Sequence, residues 1–142
     1  MSVTLDRFVR AQDRVYDRVL AELRAGEKRS HWMWFVFPQI DGLGSSPTAR
    51  EYAISSLDEA KEYLAHPVLG PRLLECAELV RATTAPPSQV FGFPDDLKLR
   101  SSMTLFARAA PDVAVFSEVI DRHYGGEYDE RTDNLLRGRS VS

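Results

Sequence analysis

The stretch from Ser30 to Ile40 constrains the fold most strongly, because its middle is apolar on every side. It contains both tryptophans of the protein, two of its seven phenylalanines and one of its three histidines. A run without a polar face has to be buried all round, so most of its rings are expected in the core. Its aromatic content favours a strand, whereas a Ser30 cap and a Pro38 stop favour a short helix over residues 31–37, which we predict.

The rest of the chain shows helical periodicity and no hairpin signal. Gly26 is placed to end the first helix, which Thr4 is expected to cap. Ser56 and Glu59 have the spacing of a capping box, and Pro94 is expected at the first position of a helix. A single turn is predicted at 88–91. The predicted helices cover residues 4–25, 31–37, 48–54, 57–64, 69–80, 94–109, 111–124 and 130–136.

Length and composition fit one all-α domain. The 142 residues are 44% hydrophobic and 27% charged, which is the balance of an ordinary globular protein. We therefore predict a single multihelical domain over residues 1–142, with about eight helices, several of them short. Residues 137–142 are polar and are predicted to form a frayed tail.

Composition also limits the partners. The net charge of −3 gives no general attraction for nucleic acid, which is not expected as a partner. No apolar run is long enough for a membrane span, and the first residues lack the apolar core of a signal peptide. Cys76 is the only cysteine, so no intrachain disulfide can form. We expect a cytoplasmic monomer.

Several standard catalytic sites are missing from the sequence. There is no Walker-type phosphate loop, no zinc-protease helix motif and no nucleophile elbow. One cysteine and three scattered histidines do not make a metal site, and no cofactor is predicted. The Gly42-Leu43-Gly44 segment resembles part of a phosphate-binding loop, but it lacks a third glycine, a preceding strand and a following lysine. Cys76, His66 and His123 are interpreted as structural residues.

One group of candidate site residues lies on the helix predicted over residues 94–109. Lys98 is followed by Ser101 and Ser102 at spacings of three and four, so the three can point to one side of a helix. A lysine beside hydroxyls can bind a phosphate or activate a hydroxyl nucleophile. The alternative is an exposed lysine and small residues that let helices pack closely. Asp95 is a candidate base, although a partner of the helix dipole is the simpler interpretation.

The aromatic stretch supplies the other candidates. His31 can carry a proton or bind a ligand, and either Trp32 or Trp34 can stack on a base or sugar. Gln39 can bind an amide or carbonyl edge. Each has a structural alternative: a cap for His31, core packing for the tryptophans, and a loop contact for Gln39.

A basic stripe on the first predicted helix offers a different kind of site. Four arginines recur at helical spacing beside three aspartates, and they can meet a phosphate or an acidic partner. A solvated face with weak intrahelical ion pairs explains the same pattern. The stripe consists of Arg7, Arg10, Arg14 and Arg18.

Several motifs resemble a bacterial family of unknown function whose members are often labelled "calpastatin". The motifs are His31-Trp32-Met33-Trp34-Phe35 with Phe37-Pro38-Gln39, Gly42-Leu43-Gly44, His66-Pro67 with Leu69-Gly70, and Phe91-Gly92 with Pro94-Asp95, Lys98 and Ser101 to Phe106. The resemblance covers nearly the whole chain and implies a small, mostly helical, single-domain protein. It implies no reaction, and it implies no calpain inhibition, because calpain inhibitors of that name are disordered.

A looser likeness connects the chain to small helical N-glycosidases that act on phosphorylated ribosides and ADP-ribose-type substrates. It rests on an aromatic early motif, a lysine-bearing helix and a late Gly…Asp pair, which is a fold-level analogy. The leading hypothesis is a protein that binds a phosphorylated small molecule, such as a nucleotide or ribosyl derivative, with hydrolase or N-glycosidase chemistry as an extension. The alternatives are a protein-interaction module that uses the aromatic stretch or the Arg7–Arg18 stripe, and a purely structural role for both motifs.

Overall fold

The structure is a computed structural model that describes residues 5–139, and these form ten α-helices without a strand. The predicted all-α domain of about eight helices, several of them short, is confirmed. None of the helices in this part of the chain is long and apolar enough to cross a membrane. The helices are α1 (Asp6–Asp13), α2 (Tyr16–Ala25), α3 (Met33–Val36), α4 (Pro47–Glu51), α5 (Leu57–Ala65), α6 (Leu69–Ala82), α7 (Pro87–Val90), α8 (Asp95–Ala109), α9 (Ala114–Tyr124) and α10 (Glu130–Arg139).

Helix α8 forms the centre of the domain. It packs against α3, α5, α7, α9 and α10, and residues 101–107 are buried on every side. The Phe106 ring lies 5.4 Å from the Tyr63 ring of α5 and 5.8 Å from the Phe116 ring of α9, between ring centroids. Aromatic contacts with both α5 and α9 therefore help to fix α8 between its neighbours.

The single helix predicted over residues 4–25 is wrong, because the chain breaks into α1 and α2. Val15 leaves the helical region at φ −130°, and its N–H bonds to Gln12 O at 3.0 Å. The break lets α1 pack against α3 and α2 pack against α6. A straight helix of that length would extend about 33 Å and could not follow both surfaces. Gly26 ends α2 as predicted, at φ 72°, while Thr4 lies outside the described residues.

The short helix chosen for the aromatic stretch is confirmed as α3, although it covers only Met33–Val36. After Phe37 the chain is extended, and Ile40 pairs with Ile54 in a parallel bridge. Asp41 N donates to Ile54 O, and Ile54 N donates to Gln39 O, both at 2.8 Å. This pairing explains why α4 ends at Glu51, whereas the sequence predicted a helix as far as residue 54.

The other helix boundaries differ from prediction by a few residues. Ser56 accepts a bond from Glu59 N at 3.1 Å, which is the N-cap bond of the predicted capping box, and the Glu59 carboxylate accepts from Ser55 N at 2.8 Å. Pro94 precedes α8 as its N-cap, and α9 begins at Ala114 rather than at residue 111. Helix α10 continues to Arg139, so the predicted tail is helical over residues 137–139, and residues 140–142 lie outside the described part.

The contact between α5 and α6 generates a stability prediction. A Cβ on Gly70 would lie 2.1 Å from the Leu64 carbonyl oxygen, which is backbone and cannot move aside cheaply. We expect Gly70→Ala to lower the free energy of unfolding by about 2 kcal/mol or more in urea titrations. Gly138→Ala is the matched control, because its added methyl group meets nothing within 4 Å, and it should be neutral or slightly stabilising. Equal stability of the two variants would contradict the close helix contact.

Candidate functional site

A buried carboxylate fixes the first half of the aromatic stretch. Glu22 of α2 is only 8% exposed and accepts hydrogen bonds from Trp32 Nε1 at 2.8 Å and Ser30 Oγ at 2.7 Å. The backbone N–H groups of Arg29 and Ser30 donate to the same carboxylate. Burial alone would raise the pKa of Glu22, but these four bonds outweigh it and lower the pKa to about 2.

This arrangement decides the role of the first tryptophan. Trp32 is 1% exposed, and its ring N–H is satisfied within the protein, so the structure places it in the core. The predicted cap by Ser30 does not form. Trp32 precedes α3 without a side-chain cap, and the Ser30 hydroxyl bonds to Glu22 instead.

The second tryptophan lies beside a group of charges. Trp34 is half-buried, and Lys98 Nζ lies 4.3 Å from its ring centroid. Lys98 also pairs with Asp95 at 3.1 Å, and Lys28 pairs with the other oxygen of Asp95 at 2.9 Å. Lysine ammonium groups at this distance from an aromatic face gain cation–π attraction. Lys28, Asp95 and Lys98 thus form one group, the lysine cluster, next to the Trp34 ring.

The lysine cluster carries excess positive charge in a partly buried place. Its side chains are 8%, 19% and 22% exposed for Lys28, Asp95 and Lys98. Burial opposes ionisation of Asp95, but hydrogen bonds from the two lysines outweigh it and hold the pKa of this carboxyl below its usual value. Two cations and one anion leave one net positive charge, which suits an oxyanion. The same low pKa makes Asp95 a weak base.

A small cavity lies on the Gly-Leu-Gly side of Trp34. It measures about 10 Å³, which is room for roughly one water molecule, and it is lined by Trp34, Gln39, Gly42, Gly44 and Tyr52, among others. Gln39 is 5% exposed, and its Nε2 has no hydrogen-bond partner among the described residues. A Cβ on Gly44 would lie 2.9 Å from Cη2 of Trp34, so glycine permits this close approach. We call this the Gln39 cavity.

Three predicted site residues do not join the lysine cluster. His31 is exposed, and its ring makes no hydrogen bond within the described residues. Ser101 Oγ lies 3.0 Å from Asp129 Oδ2, so it connects α8 to the start of α10. Ser102 is fully buried, and its hydroxyl has no partner in the same part of the chain.

The polar residues inside α8 have a structural use. Asp129 caps α10, because its carboxylate accepts from Thr132 N at 3.1 Å. Its own N–H donates to Thr104 Oγ1 at 2.9 Å, and Ser101 bonds to the carboxylate. Hydroxyls in the middle of this apolar helix therefore hold the α8–α10 junction.

The other residues interpreted as structural are also accounted for. His66 Nδ1 accepts from the N–H groups of Val68 and Leu69 and so caps α6. The His123 ring bonds to Val80 O at 2.8 Å. Cys76 is fully buried, and burial raises the pKa of its thiol to about 12. A thiol in that state is a poor nucleophile.

Sequence reasoning missed Lys28, Glu22 and Tyr52. Lys28 lies in a polar turn, where nothing in the pattern separates it from its charged neighbours. Glu22 did leave a signal, since it falls three residues after the buried Val19, at the edge of an apolar helix face. Tyr52 lines the Gln39 cavity, and its position in the sequence shows no polar pattern that would mark it as a site residue.

These features define a small all-α protein with a partly buried lysine cluster beside a half-exposed tryptophan. The chain belongs to the family described as "Protein of unknown function (DUF1810)", which matches residues 2–136. It is similar to the conserved hypothetical protein Rv1873 from Mycobacterium tuberculosis, whose crystal structure has 57% sequence identity and a TM-score of 0.92. That match covers 94% of this chain and 96% of the other. No curated protein matches the chain.

The low pKa of Glu22 predicts a pH dependence of stability. Its stabilising contribution is complete above the unfolded pKa near 4.5 and is lost as the pH falls towards about 2. We expect wild type to lose roughly 2 to 3 kcal/mol more than Glu22→Gln when urea unfolding is compared at pH 6 and pH 2.5. Glu62→Gln, at an exposed position of α5, should keep the wild-type dependence. A Glu22→Gln protein with the wild-type profile would contradict this role.

The unpaired amide of Gln39 gives a second prediction. Gln39→Met removes a buried donor that has no protein partner, so the free energy of unfolding should change by less than about 1 kcal/mol. Gln12→Met is the contrasting variant, because the Gln12 amide bonds to Phe35 O at 2.7 Å and Tyr63 Oη at 2.9 Å. That change should cost about 1 to 3 kcal/mol in the same urea titration. Equal losses would show that Gln39 is a structural residue.

Proposed function

We propose that the protein binds a phosphorylated small molecule, such as a nucleotide or ribosyl derivative, beside Trp34. The observation that carries the proposal is the lysine cluster, in which two ammonium groups share one carboxylate against a half-buried indole ring. A structural ion pair needs only one cation for each carboxylate. The second lysine leaves a net positive charge that a bound phosphate would neutralise.

The lysine cluster would receive the phosphate. Lysine binds phosphate as a point charge with three donors, and Asp95 occupies only part of the donor capacity of Lys98. Because Asp95 also pairs with Lys28, its negative charge stays compensated when Lys98 turns towards a ligand. Charge-assisted hydrogen bonds in such partly buried places are about twice as strong as neutral ones.

Trp34 and Gln39 would contact the rest of the ligand. The indole offers an aromatic surface for a base or sugar ring, and the unpaired Gln39 Nε2 offers a donor to a carbonyl oxygen. The Gln39 cavity has room for about one water, so a ring can enter only if the Gly42–Gly44 segment moves outward. Gly42, at φ 109°, already has a backbone conformation that only glycine adopts freely.

The proposal extends to hydrolase or N-glycosidase chemistry on the bound ligand. Asp95 would be the base nearest to the phosphate, but its lowered pKa makes it a weak one. His31, an exposed imidazole in the segment before α3, would be the other group able to carry a proton. Ser102 and Ser101 lie within helix packing and take no part. Ligand binding is therefore proposed first, and hydrolysis of the bound ligand has to be measured separately.

A protein-interaction module is the second candidate. Phe93, just before α8, is 81% exposed, and Leu97, in the first turns of α8, is 47% exposed. Two large apolar side chains exposed in one short segment offer a small surface for a partner protein. The aromatic stretch itself offers less, because Trp32 and Phe37 are in the core.

Calorimetric titration of the purified protein tests the leading proposal. ADP-ribose, AMP and ribose 5-phosphate should bind, whereas adenosine and ribose, which lack phosphate, should bind at least about tenfold more weakly. Lys98→Ala should weaken the phosphorylated ligands by about tenfold or more, because one charge-assisted bond is lost. Trp34→Phe and Gln39→Met should reduce affinity for the nucleotide more than for ribose 5-phosphate.

The matched control is Lys61→Ala, which removes an exposed lysine of α5 away from the lysine cluster. It should bind all ligands as wild type does. The proposal is wrong if none of the phosphorylated compounds binds, or if Lys98→Ala binds them with unchanged affinity. Release of a free base or sugar from a bound ligand would support hydrolase activity in addition to ligand binding.

A further inference from the structure

A second basic site lies on α1, separate from the lysine cluster. An open groove of about 330 Å³ runs between α1 and the end of α4, and it is lined by Arg7, Arg10, Arg14, Glu51 and Tyr52. Small-molecule sites in proteins usually measure about 300 to 1,000 Å³, so the groove is large enough for a compact ligand. We call it the arginine groove.

Arg7 forms one fixed wall of the arginine groove. Its Nε donates to Glu51 O at 2.6 Å and its Nη2 donates to Ala53 O at 2.9 Å. The guanidinium also lies 4.4 Å from the Phe8 ring centroid. These contacts hold the segment after α4 against α1, so the role of Arg7 is to build the groove.

Tyr52 also lines the arginine groove. Its ring centroid lies 5.8 Å from that of Phe8 and 5.3 Å from that of Phe35, so two core rings hold it in place. The same side chain lines the Gln39 cavity, which makes the two concavities neighbours. This part of the groove is therefore rigid, which lowers the entropy cost of binding.

Arg10 and Arg14 have no structural task of this kind. Both are exposed, and neither forms an ion pair within the described residues. Asp13, which lies between them, pairs with Arg72 at 2.9 Å, and the nearby Asp6 and Asp17 make no ion pair in this part of the chain either. Like charges four residues apart on a helix repel by a few tenths of a kcal/mol.

The charge of the arginine groove opposes that of the whole protein. Three arginines against Glu51 give 3 − 1 = +2 in the groove, while the chain carries −3 overall. A negative protein disfavours a long polyanion such as nucleic acid, whereas a compact anion meets only the local charge. Guanidinium groups present paired donors that match the oxygens of phosphate.

We propose that the arginine groove binds the phosphate group of a small phosphate ester, with Arg10 and Arg14 donating hydrogen bonds to its oxygens. Arg7 and Tyr52 shape the groove around that group. The proposal uses none of the residues of the lysine cluster, so it can be tested independently of the proposed function. It also assigns a use to two like-charged side chains that the fold leaves uncompensated.

Nuclear magnetic resonance of arginine side chains tests this assignment with inorganic phosphate as the probe. Phosphate is titrated into the full-length protein at constant ionic strength, with chloride as the balancing anion, and the Nε–Hε resonances are followed. The resonances of Arg10 and Arg14 should shift and saturate. The double variant Arg10→Gln/Arg14→Gln should raise the fitted dissociation constant at this site at least about tenfold, read from the Arg7 resonance.

Two variants separate this site from its surroundings. Arg18→Gln removes an exposed arginine of the same predicted stripe that lies on α2, outside the groove, and should leave the response unchanged. Lys98→Ala should also leave it unchanged, even if it abolishes binding at the lysine cluster. The inference is overturned if chloride gives the same shifts, if the double variant keeps the wild-type dissociation constant, or if Lys98→Ala removes the response.

Discussion

The buried carboxylate of Glu22 organises the connection between α2 and the centre of the domain. Four donors from residues 29–32 converge on it, so the turn after α2 and the start of the aromatic stretch have one fixed course. Removing the acceptor would leave the Trp32 ring N–H buried and unpaired, which proteins avoid because the desolvation cost is large. With Trp32 held inside just before α3, Trp34 lies in the first turn of α3, and its ring contacts Lys98.

Helix α8 separates the packed core from the candidate site. Its middle is buried on every side, and the hydroxyl groups of Ser101 and Thr104 connect it to α10 through Asp129. Its first turns reach the surface and carry Asp95 and Lys98. Lys28 comes from the turn before the aromatic stretch, so two distant parts of the chain, residues 28–34 and residues 95–98, supply the lysine cluster and the indole beside it.

Much of the fold and part of the site could be predicted from the sequence. Apolar periodicity predicted most of the helices, and both Lys98 and Trp34, which the structure brings together, were among the candidate residues. The break at Val15 was missed because the apolar pattern continues through it, and local pattern does not show that α1 and α2 serve different neighbours. The break also divides the predicted arginine stripe, leaving Arg18 outside the arginine groove.

The sequence by itself determined an all-α domain, a buried aromatic stretch and a short list of polar residues in apolar surroundings. These properties follow from local spacing, because side chains three and four residues apart share a helix face. Only the tertiary structure decided which of those residues are structural. Ser101 was assigned to a helix junction and Trp32 to the core, while Lys28 joined Asp95 across more than sixty residues of chain. Such pairings depend on which surfaces meet when the helices pack, and that information is absent from any single segment.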